Sequence, residues 1–218
     1  MRVENYVEAF VPEDEVLIDA RARSAELDVR PVSAATGAAL RLLTSVSRAR
    51  GVVEVGTGAG ISGLHLLRGM PADGVLTSIE HDPELQRAAR KTFVRAELPS
   101  GRTRLIMGRA LEVLPRLTDG GYDLVFLDAT KIEYPSYLTE GVRLLRPGGL
   151  IAFHDVLDDG HAPEPTRRDA DAVALRELTK AVQADAELVP SLLPVGAGLL
   201  VAAKIAEQTG APPASRYH

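Results

Sequence analysis

"VVEVGTGAGISG", Val52–Gly63, passes from a β-branched run into a glycine-rich turn and then into residues that suit a helix. The run Val52–Val55 is long enough for a short buried strand. Gly56, Gly58 and Gly60 let the backbone turn tightly and approach a ligand, and a helix starting near Ser62 adds the positive end of its dipole at the same place. The stretch therefore reads as strand, ligand-approaching turn and helix, the opening of a βαβ unit.

The pattern recurs along the chain. "VLTSIE" (75–80) is a second strand; after it Asp82 suits an N-cap and Pro83 a first helical position, predicting a helix whose apolar face is Leu85, Ala88, Ala89 and Phe93. "TRLIM" (103–107) precedes a helix near 110–117, "DLVFLD" (123–128) a helix near 136–145, and "GLIAF" (149–153), after a polar excursion, a helix near 171–184. Before the first strand, residues 34–48 place Ala39, Leu42, Leu43 and Val46 at helical spacing, which predicts that face as the buried one. "LVPSLLPVGAGLLVAAK" closes the chain as two strands joined by a glycine-containing turn. The fold class is α/β, a doubly wound Rossmann-like and mostly parallel sheet with helices on both faces and a C-terminal antiparallel hairpin strand. Such a sheet takes ligands at the carboxyl ends of its strands.

Composition narrows the function. At 218 residues and 45% hydrophobic the chain suits one domain with a single substantial core. A formal net charge of -5 argues against a nucleic-acid partner. No apolar run is long enough to span a bilayer, and "MRVENYVEAF" lacks the charged start and apolar segment of a secretory signal. The absence of cysteine excludes disulfides, thiolate metal sites and a cysteine nucleophile, and fits a cytoplasmic location. Three segments follow: residues 1–30 as an N-terminal helical segment with Val16, Ile18, Ala22 and Ala25 at near-helical spacing, 31–205 as the ligand-binding domain, and 206–218 as a flexible tail rich in Pro and Ala.

Two strand ends carry the chemistry. Glu80 ends the second strand, where an acid can accept hydrogen bonds from ribose hydroxyls. With the glycine turn it describes a nucleoside-containing cofactor, either a dinucleotide or S-adenosylmethionine; the plainer reading is a tight turn beside a solvated acid. The other is "LIAFHDVLDDG" (150–160), a buried strand running into His154 and Asp155, with Asp158 and Asp159 belonging to the loop.

"RPVSAATGAALRLL", "GRALEVLPRL", "YDLVFLDATKIEYPSYL" and "LLRPGGLIAFHDVL", in this order around the glycine turn, resemble the class I S-adenosylmethionine-dependent O-methyltransferases. The likeness is to the cation-dependent catechol and caffeoyl-coenzyme A group, and within it to a little-characterised bacterial branch; it runs from about Arg30 to Lys204. The resemblance implies that Val32 lies over the cofactor. It also implies that Glu54, Gly56, Thr57 and Ser62 contact the methionine portion, that Glu80 takes the ribose, and that His81 and Ala110 flank the adenine. Gly108-Arg109-Ala110 stands where relatives show Gly-Asp-Ala, so an arginine replaces that polar contact.

The same resemblance implies a divalent metal held by an Asp after strand four and an Asp-Asn pair after strand five, with a Lys as base. Asp128 and Lys131 match the first Asp, also a cofactor contact, and the Lys. His154-Asp155 stands in place of Asp-Asn, so Asp128, His154 and Asp155 would form a two-carboxylate, one-imidazole set better suited to Zn²⁺, Mn²⁺ or Fe²⁺ than to Mg²⁺. Two other readings of His154 stay open: general base without a metal, or a strand-end histidine bonded to backbone. Lys131 is either that base or a surface lysine. The expected activity is methyl transfer to a hydroxyl of a small molecule, with a catechol-like phenol as default acceptor, by a homodimer whose N-terminal segment covers the site. The alternatives are a non-catalytic S-adenosylmethionine-binding protein and an NAD-dependent oxidoreductase.

Overall fold

The computed structural model describes residues 2–157 and 166–206. Asp158, Asp159 and His161, and the expected tail from residue 207 onward with His218, lie outside the described residues. In chain order the elements are α1 (Val3–Glu8), α2 (Glu15–Glu26), α3 (Ala34–Val46), β1 (Gly51–Val55), α4 (Ile61–Gly69), β2 (Val75–Glu80), α5 (Pro83–Arg95) and β3 (Thr103–Met107). They continue with α6 (Ala110–Val113), β4 (Tyr122–Leu127), α7 (Tyr134–Leu144), β5 (Leu145–His154), α8 (Ala170–Ala184), β6 (Leu188–Leu193) and β7 (Leu199–Lys204).

The strands form one sheet in the order β3-β2-β1-β4-β5-β7-β6. From β3 to β5 every pairing is parallel, whereas β7 runs antiparallel to both β5 and β6. The alternation of strand and helix thus builds the doubly wound sheet with its antiparallel closing pair. Strand order reverses between β1 and β4, and a crevice opens at such a reversal.

Successive strand residues face opposite sides, and both sides are covered, so the central strands are mainly apolar. Val53, Val125, Ile151 and Phe153 pack under Tyr134 and Leu144 of α7 and Leu175 and Leu178 of α8. Val52, Leu124, Phe126 and Ala152 pack against Leu40 of α3, Leu64 and Leu67 of α4, and Phe93 of α5.

Two helices turn a different face inward from the one their periodicity predicts. In α3 the buried residues are Ala35, Thr36, Gly37, Leu40 and Thr44, while Leu42 and Val46 are 61% and 67% exposed. The cause is close helix contact with α4. A Cβ on Gly37 would lie 2.4 Å from the His65 ring, and one on Gly69 would lie 2.1 Å from Thr44 Oγ1. Small residues rather than large apolar ones permit that approach, and the Thr44 hydroxyl donates to Leu66 O across it at 3.1 Å. In α2 the buried residues are Leu17, Ala20 and Ser24, whereas Ile18 is exposed. That helix is oriented by polar ties: Asp14 to Arg68, Asp19 to Arg95, and Arg23 to Thr92.

Two boundaries also move. The helix expected over 110–117 stops at Val113 and ends in a 3-10 turn at Leu114–Arg116, because Pro115 has no N–H to continue an α-helix. Strand β5 begins at Leu145, and its register against β4 shifts between Tyr122 and Leu124.

His65 lies buried between Gly37 and Glu13, its Nε2 3.6 Å from Glu13 Oε1, with no hydrogen bond to either ring nitrogen. Burial pushes its pKa down to about 4, against the pull of Glu13, so it packs as a neutral ring. It is a packing residue for α3 and α4.

At the opposite ends of the strands from the crevice, Asp123 ties three strands together. Its carboxylate accepts from Arg50 N at 2.7 Å, Gly51 N at 2.8 Å and Arg146 Nε at 2.5 Å. Burial opposes its charge, but the Gly51 N–H, Arg146 and the Arg50 N–H outweigh it and hold the carboxyl below its ordinary 3.8. The stabilisation from a depressed carboxylate is complete above its unfolded value and is lost as pH falls through its lower folded one. Asp123→Ala is expected to lower unfolding stability by about 1.5–3 kcal/mol at neutral pH, the range for hydrogen bonds to a charged group. Denaturant titration at pH 7 and near pH 3 checks this, with the gap between variant and parent narrowing in acid.

Candidate active site

The carboxyl ends of β1, β2, β3 and β4 surround a cleft of about 600 Å³. Its floor depends on Gly56. This residue takes φ +91°, and a Cβ there would lie 2.0 Å from the carbonyl oxygen of Asp128, so only glycine lets the turn after β1 pass the end of β4. Gly56 N donates to Ile79 O at 3.0 Å and Asp128 N donates to Val55 O at 2.9 Å, stitching the turn to both neighbouring strands.

Glu80 organises the far side of the turn. Its buried carboxylate accepts from Gly58 N at 3.1 Å, His81 N at 2.8 Å and Asp82 N at 3.0 Å, with His81 Nδ1 3.1 Å away. One acid thereby orders the loops after both β1 and β2.

Behind the turn lies Glu54, fully buried. Its Oε1 accepts from Ser62 Oγ and its Oε2 from Ser78 Oγ, each at 2.6 Å, and Ser78 Oγ is 2.6 Å from Thr57 Oγ1. Burial pushes its pKa up to about 7, helped by the charges of Asp128 and Glu80 and opposed by the two hydroxyl bonds. A raised carboxylate gives the fold its full support below the unfolded 4.5 and loses it as pH rises through about 7. The fold therefore carries a cost to place an ionised acid there.

Val32, Gly56, Thr57, Ser62, Glu80, His81, Ala110 and Asp128 all line this one cleft, although they come from five separate stretches of chain. Glu54 sits a layer behind, reaching the cleft through Ser62. Lys131, His154 and Asp155 lie around Asp128 and are not on the cleft wall.

The three expected metal donors separate into two pairs. His154 Nδ1 is 2.9 Å from Asp128 Oδ1, and Lys131 Nζ is 2.8 Å from Asp155 Oδ2. Asp155 leaves the strand in a left-handed conformation, φ 55°, and its Oδ1 is buried without a hydrogen bond. Among the described residues no group of three or more His, Cys, Asp or Glu side chains is placed to hold a metal ion. As arranged, the donor set does not fit a three-ligand metal site: Asp128 and His154 occupy each other, and Asp155 is taken by a lysine. Lys131 is likewise engaged, and a base role would require that ion pair to open.

Tyr134 and Tyr137 have different roles. The buried Tyr134 hydroxyl donates to His154 O at 2.9 Å and its ring packs on Phe153 with centroids 5.3 Å apart, which fixes the end of β5. Burial, then Asp128 and Asp155, pushes that hydroxyl far above its ordinary pKa, so it stays a donor. Tyr137 lines the cleft, and its hydroxyl donates to Glu133. Arg109 reaches toward the same Glu133, at 3.6 Å, from the loop after β3. Sequence reasoning did not single out Glu133, nor Ser24 and Arg30, which join the wall from the N-terminal segment. None of these has a local motif, and only the packing of α2 and α7 brings them to the cleft.

Residues 9–205 match the family of proteins described as O-methyltransferase. The chain belongs to the O-methyltransferase family. A curated relative from Mycobacterium avium, assigned to the O-methyltransferases, is 49% identical over 199 residues, covering 91% of this chain and 90% of the relative. A crystal structure of a Corynebacterium glutamicum protein superposes with a TM-score of 0.88 at 30% identity, over 94% of this chain and 97% of that one. The O-methyltransferase TomG from Streptomyces achromogenes, involved in tomaymycin synthesis and solved in complex with S-adenosylmethionine, superposes with a TM-score of 0.85 at 29% identity, over 94% of this chain and 100% of that one.

The chain is thus an S-adenosylmethionine-dependent O-methyltransferase of the class I fold, acting on a hydroxyl of a small molecule, and the oxidoreductase alternative falls. The cleft suits this donor, with glycine backbone beside a helix start and the buried carboxylates of Glu80 and Glu54 close to the turn. Glu80→Gln should weaken S-adenosylhomocysteine binding by about tenfold, roughly the loss of one charge-assisted hydrogen bond. Calorimetric titration checks it, with circular dichroism confirming that the fold is kept.

Proposed function

We propose that this chain methylates a phenolic hydroxyl of a small molecule, using the Asp128–His154 pair in place of a metal ion to take the hydroxyl proton. The distance of 2.9 Å between His154 Nδ1 and Asp128 Oδ1, with Asp128 on the cleft wall, carries this reading. The carboxylate can only accept, so Nδ1 carries the hydrogen of this bond. Acid and imidazole then act as one proton-accepting unit.

The donor supplies a sulfonium-bound methyl group. In the transfer an oxygen–carbon bond forms as the sulfur–carbon bond breaks, and the hydroxyl proton passes to the Asp128–His154 pair. Asp128 presents a carboxylate to the acceptor at the switch point, and His154 behind it holds that carboxylate in place. Tyr134 fixes the histidine backbone. The apolar surfaces of Pro31, Val32 and Tyr137 along the same wall favour a flat ring as acceptor. Most of the rate would come from alignment of the acceptor oxygen with the methyl carbon, with proton removal contributing about 10²–10⁴-fold. A catechol-like phenol is the first acceptor to test, and monohydroxyl phenols should serve as well, because two adjacent hydroxyls matter chiefly for chelation.

Methyl transfer from labelled S-adenosylmethionine to a phenol panel is the direct test. Activity is expected to survive exhaustive chelation. It should fall by about 10²-fold or more in His154→Ala and Asp128→Asn. Loss of activity on chelation and recovery with one divalent ion would sink the metal-free reading.

We also place the chain in a homodimer through its N-terminus. Helix α1 buries none of its own side chains, and Val3 and Phe10 are 78% and 71% exposed. Sedimentation equilibrium should give twice the chain mass, and a variant with Tyr6 and Phe10 changed to Ser should sediment as a monomer.

A further inference from the structure

Three carboxylates converge on the glycine turn, and they are satisfied differently. Glu80 accepts from three backbone N–H groups and Asp128 faces His154. Glu54 has only the neutral hydroxyls of Ser62 and Ser78, and it forms no ion pair among the described residues. The charged groups that face it are Glu80 from the end of β2 and Asp128 from the end of β4, both acidic. A fully buried acid in that setting disfavours its own charge. Its value of about 7 agrees with the geometry.

Hydroxyl groups connect this acid to the cleft by two routes. One is direct, through Ser62; the other runs through Ser78 to Thr57. Ser62 and Thr57 both line the cleft. A hydroxyl has one hydrogen, and the state of Glu54 decides where it points. With Glu54 ionised, Ser62 donates inward and turns a lone pair to the cleft, which suits a cation. With Glu54 protonated, the acid can donate to Ser62, whose own hydrogen is then released toward the cleft and no longer favours one.

The methyl donor and its demethylated product differ in this respect. The donor bears a sulfonium charge and the product a neutral thioether. We propose that Glu54 carries a proton before the donor binds and releases it through the Ser62 and Thr57 hydroxyls when the sulfonium enters, so that it acts as a positioning residue that distinguishes donor from product by charge. The proton passes to solvent on binding and returns once the methyl group has left, which weakens the hold on the product. This inference rests on the S-adenosylmethionine reading of the cleft and goes beyond it.

The test is calorimetric titration of S-adenosylmethionine and of S-adenosylhomocysteine, each in phosphate and in Tris, from about pH 5.5 to 8. The heat difference between buffers counts protons released. Near pH 7 the donor should release more protons than the product, and the preference for donor over product should rise by about tenfold across the range, the change that follows from each unit by which the sulfonium lowers the Glu54 value further. Glu54→Gln should abolish both differences. The ligand amino group titrates in parent and variant alike, so the comparison isolates the side chain. Ser78→Ala removes one donor to Glu54 without touching the cleft wall, and should move the midpoint of the pH dependence upward. That variant carries the test if Glu54→Gln fails to fold. Equal proton release for the two ligands, a difference that persists in Glu54→Gln, or an unmoved midpoint in Ser78→Ala would overturn the proposal. Absence of binding by either ligand would overturn the methyl-donor reading itself, and this proposal with it.

Discussion

The contact between Gly56 and the carbonyl of Asp128 is the constraint on which the binding face depends. It lies where the sheet reverses its strand order, and it leaves no room for a side chain. Because β1 and β4 meet there, the turn proposed to meet the methyl donor and the acid proposed to meet the acceptor share one rigid base. Hydrogen bonds from Gly56 to β2 and from Asp128 to β1 extend that base across three strands. At the other end of the same strands Asp123 joins β1, β4 and β5. The middle of the sheet is thus fixed at both ends, and the loops above it are placed by its geometry.

Around that base the polar groups are tied to one another. Glu80 gathers three N–H groups, Asp128 has an imidazole and Asp155 a lysine. Placing so many acids in a partly buried site is costly unless each is paired. Here the pairing also has chemical consequences. Tying Asp128 to His154, and Asp155 to Lys131, sorts the four side chains into an acid–imidazole pair and an ion pair.

Helices α2 and α3 illustrate how tertiary contact overrides a pattern. Their apolar residues occur at helical spacing on more than one face, and spacing alone favours the greasier face. In α3 the approach of α4 is decided by Gly37 and Gly69, which admit a ring and a threonine at distances that no side chain would allow. The outcome leaves Leu42 and Val46 exposed. In α2 three acids and bases at defined positions, rather than apolar area, set the rotation that brings Ser24 to the cleft.

By itself the sequence determined the order and type of the elements, the glycine turn and the acid that ends β2. It did so because strand and helix periodicities, the Asp82-Pro83 cap and the demand for glycine are local and cannot be met by other residues. Eight of the nine residues to which the family resemblance pointed line the cleft, because the segment before α3 and the turns after β1 to β4 meet there. Only the tertiary structure decided which groups touch. Glu54 withdrew behind Ser62, Glu133, Arg109 and Tyr137 met across the cleft, and Asp128, His154, Lys131 and Asp155 sorted into two pairs. Pairing depends on distances of a few ångströms between side chains far apart in the chain, set by helix rotation and by one left-handed residue at Asp155. Those distances arise only once the sheet has closed.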